Sequence, residues 1–451
     1  MRRFIGGFDM LRLKLSFWGW LGLLTLLWLI ALLRTAPAFA LRQDLIQYSG
    51  AMAIACMSLG LVLALRPRWP ETWFGGLDKM YRLHKWLGIA AAGFAVLHWT
   101  VTQAPKWAAG LGLMQRQPRG EHAPLEGVRQ FLGMQRGLAE GLGEWAFYAV
   151  VLLVALALGR RFPYHWFYRT HRLIALAYLV LVYHAVILLN PALWTSVVAV
   201  VLAPLLAGGS LAAVWLVTRR SGRNRQVTGT ILSLRSYPGV KSLETEIGLG
   251  AGWPGHKPGQ FAFATSDASE GPHPYTIASA WNATDPRIAF ITKALGDHTR
   301  QLPGALHVGQ SVTIEGPYGR FTFDDGMKRQ IWIGGGIGIT PFIARMKHLA
   351  RMPDDRAEQI DLFHTTRDFD AVALAALAAD AEAAGVTLHL MVDERDGLLT
   401  GARLRETAPD WREASIWFCG PARFGAALRA DLAANGHPVA TRFHQELFAM
   451  R

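Results

Sequence analysis

Apolar residues fill long unbroken blocks in the first half of this chain and short alternating ones in the second, with the change near residue 220. Before that point six stretches, about 16–34, 45–65, 82–102, 143–160, 169–190 and 193–218, are long and apolar enough to cross a bilayer as helices. The first has a rival reading, because a basic start and Ala38-Phe39-Ala40 resemble a secretory leader and its cleavage site. Its apolar run exceeds the usual leader core, however, and losing one span would put the downstream segments on the wrong side of the membrane. The expectation is six spans, with a loop of about forty residues, 103–142, between the third and fourth.

Cationic residues orient these spans. Arg66, Arg68, Lys79, Arg82 and Lys85 cluster between spans two and three, and Arg160, Arg161, Arg169 and Arg172 between four and five. Arg219 and Arg220 follow span six. With six spans all these clusters share one side, which the bias of Lys and Arg makes cytoplasmic. Both termini are then expected inside.

Beyond residue 220 the pattern shortens. VTGTILSL, LETEIGL, a strand after Pro258-Gly259-Gln260-Phe261, IAFITKA and VTIEGPYGRF read as strands with regular turns, hence a small antiparallel barrel. RQIWIGGGIGITPFIARMKHLA then places glycines between an apolar strand and a helix opening near Thr340-Pro341. IDLFHTT, VTLHLMVDE and ASIWFCGPARFGAALRADL continue a strand–helix alternation that implies a parallel, doubly wound α/β sheet. The expected domains are a transmembrane helical bundle at 1–220, an antiparallel β-barrel at 221–325 and an α/β domain at 326–451.

Composition changes the picture at two points. A net charge of +13 raises nucleic acid as a partner, but no basic stripe interleaves with aromatics, and much of the charge flanks apolar segments. The partner is a lipid bilayer, and no nucleic acid is expected. The two cysteines, Cys56 and Cys419, fall in different halves, which excludes a disulfide framework.

The candidate chemistry of the first half is four histidines. His84 and His98 lie fourteen residues apart in the third span, and His171 and His184 thirteen apart in the fifth. At 1.5 Å per residue each pair spans roughly 20 Å, one ligand near each face of a ~30 Å hydrocarbon core. Spans three and five run in the same direction, so His84 and His171 share the inner depth, and His98 and His184 the outer. Imidazole is the usual ligand of haem iron, and ionisable groups inside spans are functional by default. The deduction is two stacked haems, an inner one held by His84/His171 and an outer one by His98/His184. A lone histidine at a helix end is more often an interfacial polar group, which is how His165 reads in FPYHWFYRTH. Fourteen residues return an ideal helix to within ~40° of one face, whereas thirteen leave His184 about 140° from His171. Span five must therefore bend, or its haems approach from different sides. Irons with histidine on both faces have no open position and carry electrons rather than bind oxygen.

In the second half the glycine turn, Gly334 to Gly336 and Gly338, lets backbone N–H groups approach a pyrophosphate at a helix N-terminus. Phe418-Cys419-Gly420-Pro421 ends a strand where such sheets bind ligands.

These blocks, in this order, resemble the ferredoxin-reductase-like flavoprotein module. Joined to six spans with four spaced histidines, the chain resembles the ferric reductase/NADPH oxidase superfamily in a bacterial version. The resemblance implies FAD, two b-type haems and NADPH (or NADH) as cofactors. In His273-Pro274-Tyr275-Thr276, Tyr275 would stack on the isoalloxazine, Thr276 approach its N5, and His273 stand near the pyrophosphate, where soluble relatives usually carry arginine. Lys293, Gly296 and Thr299 would hold the FAD phosphates. Gly335, Gly336, Gly338 and Thr340 match the dinucleotide phosphate turn, and Cys419, Gly420 and Pro421 the segment beside the nicotinamide. Phe448 resembles the terminal aromatic that covers the flavin. Arg367 stands where an arginine receives the 2′-phosphate of NADPH, with Asp368 beside it as a counter-argument.

The implied activity is an NAD(P)H oxidoreductase of the bacterial inner membrane, passing electrons through FAD and the haems to an external acceptor. Oxygen, giving superoxide, is the favoured acceptor. One alternative is a ferric-chelate reductase; another is a membrane-anchored flavin reductase feeding a periplasmic protein partner or quinone.

Overall fold

The computed structural model describes residues 7–35, 41–113, 128–159, 162–218, 220–355, 357 and 359–446. They divide into a helical unit, chiefly Leu13–Pro67 and Met80–Ser221, and a second unit from Gly222 onward that also takes in Arg68–Lys79.

The helical unit contains six helices long and apolar enough to span a membrane. The helices before Gly222 are α1 (Gly7–Thr35), α2 (Leu41–Ala64), the short α3 (Arg68–Phe74), which goes with the second unit, α4 (Leu77–Gly110), α5 (Val128–Leu158), α6 (Tyr164–His171), α7 (Leu173–Leu188), the single turn α8 (Pro191–Trp194) and α9 (Val197–Val217). The central helix is α2, whose Ala53, Ala55, Ser58 and Gly60 are buried and let α7 and α9 approach closely. Tyr178 on α7, fully buried, shares a 2.8 Å hydrogen bond with Ser58. That bond keeps a hydroxyl satisfied where no water reaches.

Two expectations change here. The long outer loop is much shorter, because α4 continues to Gly110 and α5 already begins at Val128. Both extensions are polar enough to stop a hydropathy reading, yet helical hydrogen bonds do not depend on apolar side chains. The fifth span is not one helix but α6 and α7, with Arg172 between them as the C-cap of one and the N-cap of the other.

In the second unit β1 (Gln226–Tyr237), β2 (Ser242–Leu249), β3 (Phe261–Thr265), β4 (His273–Thr276), β5 (Arg287–Lys293) and β6 (Ser311–Tyr318) form one antiparallel sheet, ordered β4-β3-β6-β1-β2-β5, with α10 (Asp297–Ala305) between β5 and β6. Ile277, just past β4, bridges to Phe290 on β5 and draws the sheet's two edges together as a barrel. Val227, Ile231, Ile247, Phe290 and Ile314 fill its interior.

The second sheet is wholly parallel. It contains β7 (Arg329–Gly335), β8 (Gln359–Thr366), β9 (Thr387–Val392), β10 (Ser415–Cys419) and β11 (Phe443–Gln445), ordered β11-β10-β7-β8-β9. Between them run α11 (Thr340–Leu349), α12 (Ala371–Ala384), the short α13 (Asp393–Asp396), α14 (Gly401–Thr407), α15 (Ala422–Ala434) and the single turn α16 (Val439–Arg442). All seven residues of β7 are buried, as a strand covered by helices on both faces requires.

Candidate functional site

Each histidine pair meets in space. The ring centres of His84, on α4, and His171, the last residue of α6, are 6.0 Å apart. Those of His98, on α4, and His184, on α7, are 6.2 Å apart. A metal bonded at about 2 Å to one nitrogen of each ring would hold the ring centres roughly 6 Å apart, so both gaps suit one bis-imidazole ion. Helical hydrogen bonding is interrupted at Arg172, between His171 and His184, while its backbone stays in the right-handed helical region (φ −66°, ψ −23°).

The donor set fits haem iron as well as the spacing does. Nδ1 of His84 lies 2.9 Å from the Gly60 carbonyl, that of His98 2.8 Å from Ile46, and that of His184 2.8 Å from Ala139. A proton on each Nδ1, donated to these carbonyls, leaves the Nε2 lone pair for a metal and orients the ring. His171 Nδ1, buried, makes no such bond. Gly143 leaves the room His184 needs, since a Cβ there would lie within 2.0 Å of Nδ1. These carbonyls and this glycine were invisible to a search for ligating side chains. His165 lies tilted against Trp166, 5.6 Å between ring centres, and Arg169 sits over the Trp166 ring.

In the barrel, β4 presents His273-Pro274-Tyr275-Thr276 along the edge of the sheet, Tyr275 opposite Ala262 and Thr276 opposite Phe261. Tyr275 is half-buried, its ring 5.8 Å from Phe290. The His273 imidazole lies flat on His298, 3.7 Å between centres. Burial, with His298 alongside, pushes His273 down to about 3, so it is neutral at physiological pH. Thr299 Oγ1 accepts the N–H groups of Leu295 and Gly296 and shapes the turn into α10. Lys293 ends β5 in an ion pair with Asp368, 2.6 Å away.

The parallel sheet brings the two nucleotide segments side by side. Cys419 pairs with Gly334 in register, so the turn after β7 and Gly420-Pro421 after β10 lie together at the strands' carboxyl ends. Gly336 adopts φ +56°, a left-handed conformation that other residues take at a cost. Thr340 donates to the Ile337 carbonyl at 2.8 Å and opens α11, with Pro341 behind it. An open cleft lies between barrel and sheet, lined by Lys293, Gly336, His364 and Thr366 among others. Arg367 stands exposed beside it at the end of β8. Phe448 lies outside the described residues.

Sequence reasoning missed Glu446, which directly follows β11 and is fully enclosed. Burial drives its carboxyl well above its ordinary range, Asp78 adds to this, and Lys79 opposes it. The Cys419 thiol is likewise pushed far up, by burial and then by Glu446. At pH 8 in the folded protein Cys419 therefore stays a thiol and resists alkylation, whereas unfolded chain reacts. Mass-spectrometric labelling that modifies Cys419 as fast in the folded state would contradict this burial.

Residues 49–182 match the family model described as ferric reductase like transmembrane component. The chain is similar to the reductase component of propane 2-monooxygenase from Rhodococcus jostii, 27% identical over 250 residues, covering 51% of this chain and 63% of that protein. It is also similar to the stachydrine N-demethylase reductase subunit Stc4 of Rhizobium meliloti, 30% identical over 211 residues, covering 43% of this chain and 58% of that protein. The chain thus spans less than two thirds of these relatives' length. Among solved structures it is similar to the Amycolatopsis cytochrome P450 reductase GcoB, at 25% identity and a TM-score of 0.42, covering 50% of this chain and 70% of that one. Residues 49–182 thus resemble a ferric-reductase-like membrane component, and in this chain they precede an antiparallel barrel and a parallel sheet.

Proposed function

We propose that this chain carries electrons from NAD(P)H through FAD to two bis-histidine b haems and on to an acceptor beyond the opposite face of the membrane. The observation that carries this reading is the pair of imidazole gaps, 6.0 and 6.2 Å, at two levels of α4, one against α6 and the other against α7. The cofactors supply the redox chemistry, with flavin converting a two-electron hydride donor into single electrons. The protein's own residues position them. His84 and His171 would ligate the inner haem, and His98 and His184 the outer.

Tyr275 would lie against the flavin ring with Thr276 near its reactive edge, His273, Gly296 and Thr299 toward its phosphates, and Lys293 beside them. Gly335, Gly336, Gly338 and Thr340 would cradle the nicotinamide dinucleotide, with Cys419, Gly420 and Pro421 beside the nicotinamide. Both termini and the reductase unit belong on the cytoplasmic, Arg-rich side of a bacterial inner membrane.

With both imidazoles of each pair committed as ligands, these haems would offer an acceptor no open metal position, and electron transfer to it would be outer-sphere. Oxygen reduced to superoxide suits such outer-sphere transfer. Reduced-minus-oxidised spectra of the purified chain should show two b haems per chain, and fewer than two would exclude the wire. Superoxide dismutase-sensitive cytochrome c reduction, run against ferrous-chelate formation, tests the acceptor.

Arg367 is the proposed contact of the NADPH 2′-phosphate. Asp368 beside it is held by Lys293, which neutralises much of the repulsion it would exert. Arg367→Ala should raise KM for NADPH about tenfold relative to NADH, the scale of one charge-assisted hydrogen bond. An unchanged ratio in steady-state kinetics would move the 2′-phosphate elsewhere.

A further inference from the structure

The second unit takes in Arg68–Lys79, the segment that joins two membrane-spanning helices, α2 and α4. Its short helix α3 buries Pro70 and Phe74, and Leu77, Asp78 and Lys79 are buried after it. From this helix the Glu71 carboxylate accepts the Gly319 N–H, just past β6, at 2.9 Å. Burial raises the Glu71 carboxyl above its ordinary range, while the Gly319 N–H, Arg225 and Arg320 draw it back down. A charged group taken out of water is costly unless it is hydrogen-bonded, and here one backbone N–H meets it.

The contact leads two ways. Toward the barrel, the Gly319 carbonyl accepts from Gln260 Nε2 at 3.3 Å, and the Gln260 carbonyl accepts the Ile277 N–H at 3.0 Å, one residue beyond Thr276. Tyr318 lies opposite Phe261 in the sheet, and Phe261 opposite Thr276. Toward α4, the Gly76 N–H returns to the Glu71 carbonyl at 3.0 Å, and Lys79 Nζ donates to the Gly75 carbonyl at 3.0 Å, so α3 runs into α4 through a fixed turn. His84 follows about two turns beyond Leu77 on the same helix.

From this chain of contacts we infer that Glu71 is a positioning residue: by holding the turn after β6 it ties the Tyr275-Thr276 edge of the barrel to the helix that carries His84, and so governs electron transfer from flavin to the inner haem. Glu71 is no ligand of either cofactor in this reading. The protein's part in such chemistry is to hold donor and acceptor in place. Misplacing reacting groups by about 1 Å can cost about 100-fold in rate.

This inference rests on the flavin and haem reading for its electrons, and two readouts on the full chain in lipid nanodiscs separate it from that reading. The first is hydrogen exchange of the Gly319 amide, followed by mass spectrometry. Glu71→Ala should exchange it about tenfold faster or more, the loss of one hydrogen bond to a carboxylate, and Glu71→Gln, which keeps an acceptor oxygen, should restore the native rate. The second is anaerobic stopped flow with NAD(P)H, reading flavin bleaching and b-haem reduction in the same mixing. Glu71→Ala should bleach flavin at the native rate but reduce haem about tenfold more slowly, and Glu71→Gln should recover most of that loss. A merely structural role would not separate these two rates.

Unchanged Gly319 exchange in Glu71→Ala overturns the tie, and native haem reduction in a variant whose Gly319 amide exchanges freely overturns the positioning role. If Glu71→Ala does not retain flavin, Glu71→Asp, whose carboxylate is retracted by one methylene, replaces it with the same expectations. Faster exchange in a chain without b-haem bands keeps the tie and overturns its part in electron transfer together with the haem reading.

Discussion

Replacing His98 with alanine should leave one b haem per chain where the native protein holds two. The Nε2 that faces His184 is gone, and the Ile46 carbonyl that oriented the ring has no partner. His84 and His171, gripped separately, keep the inner haem. Flavin reduction by NAD(P)H should continue at its native rate, because that chemistry lies in a unit with its own core. Delivery to an external acceptor should fall by more than the roughly 10–100-fold that losing even an outer-sphere partner of a metal ligand costs. Haem content by the pyridine haemochrome, with stopped-flow flavin bleaching, checks both halves. Retention of two haems would show that His98 is not a ligand, and joint loss of haem and flavin reduction would show that the halves are not separable.

The second large effect is expected at Gly338. A Cβ there would lie 2.2 Å from the carbonyl oxygen of Cys419 and 2.9 Å from the amide nitrogen of Gly420. Both are backbone atoms at the end of a buried strand and cannot rotate away as a flexible side chain would. Gly338→Val must push the turn after β7 away from the segment after β10. That is overpacking of a dense interior, about 1–3 kcal/mol or more in stability. The same shift spoils the surface proposed to receive the dinucleotide. NAD(P)H binding, measured by quenching of flavin fluorescence, should be lost, and the thermal transition of the reductase unit should fall, with haem spectra of the helical unit unchanged. Native affinity in the variant would show that the close approach has no bearing on the nucleotide.

Much of this architecture was legible because it follows from short-range rules. Long apolar runs in lipid have only helix available to satisfy their backbone, so six spans could be counted from hydropathy alone. Strand alternation and glycine turns likewise announced the two sheets, and the carboxyl-end rule placed Cys419 beside the turn after β7 before any coordinates. The histidine pairing was legible for the same reason. Equal spacing on two parallel spans leaves few ways to match depths, and the ring centres of the two pairs lie 6.0 and 6.2 Å apart, nearly perpendicular to one another.

Where reading the chain stopped, the cause was a contact between distant residues. Span five had to bend or present its histidines to different sides, and the chain alone did not say which; the structure interrupts its helical hydrogen bonding at Arg172. The helical ends of α4 and α5 are polar and were read as loop, because hydropathy reports the solvent a segment suits rather than its backbone.

The amino-acid sequence by itself determined which segments cross the membrane, which form sheets, and which four imidazoles share two levels, because each of these depends on periodicity and length. Only the tertiary structure decided which carbonyls lie within hydrogen-bond reach of the imidazoles, that Gly143 clears space for His184, that Lys293 pairs with Asp368, and that a buried Glu446 raises the Cys419 thiol further. Those outcomes depend on atoms far apart along the chain arriving within a few ångströms, a property of packing that no local pattern of residues encodes.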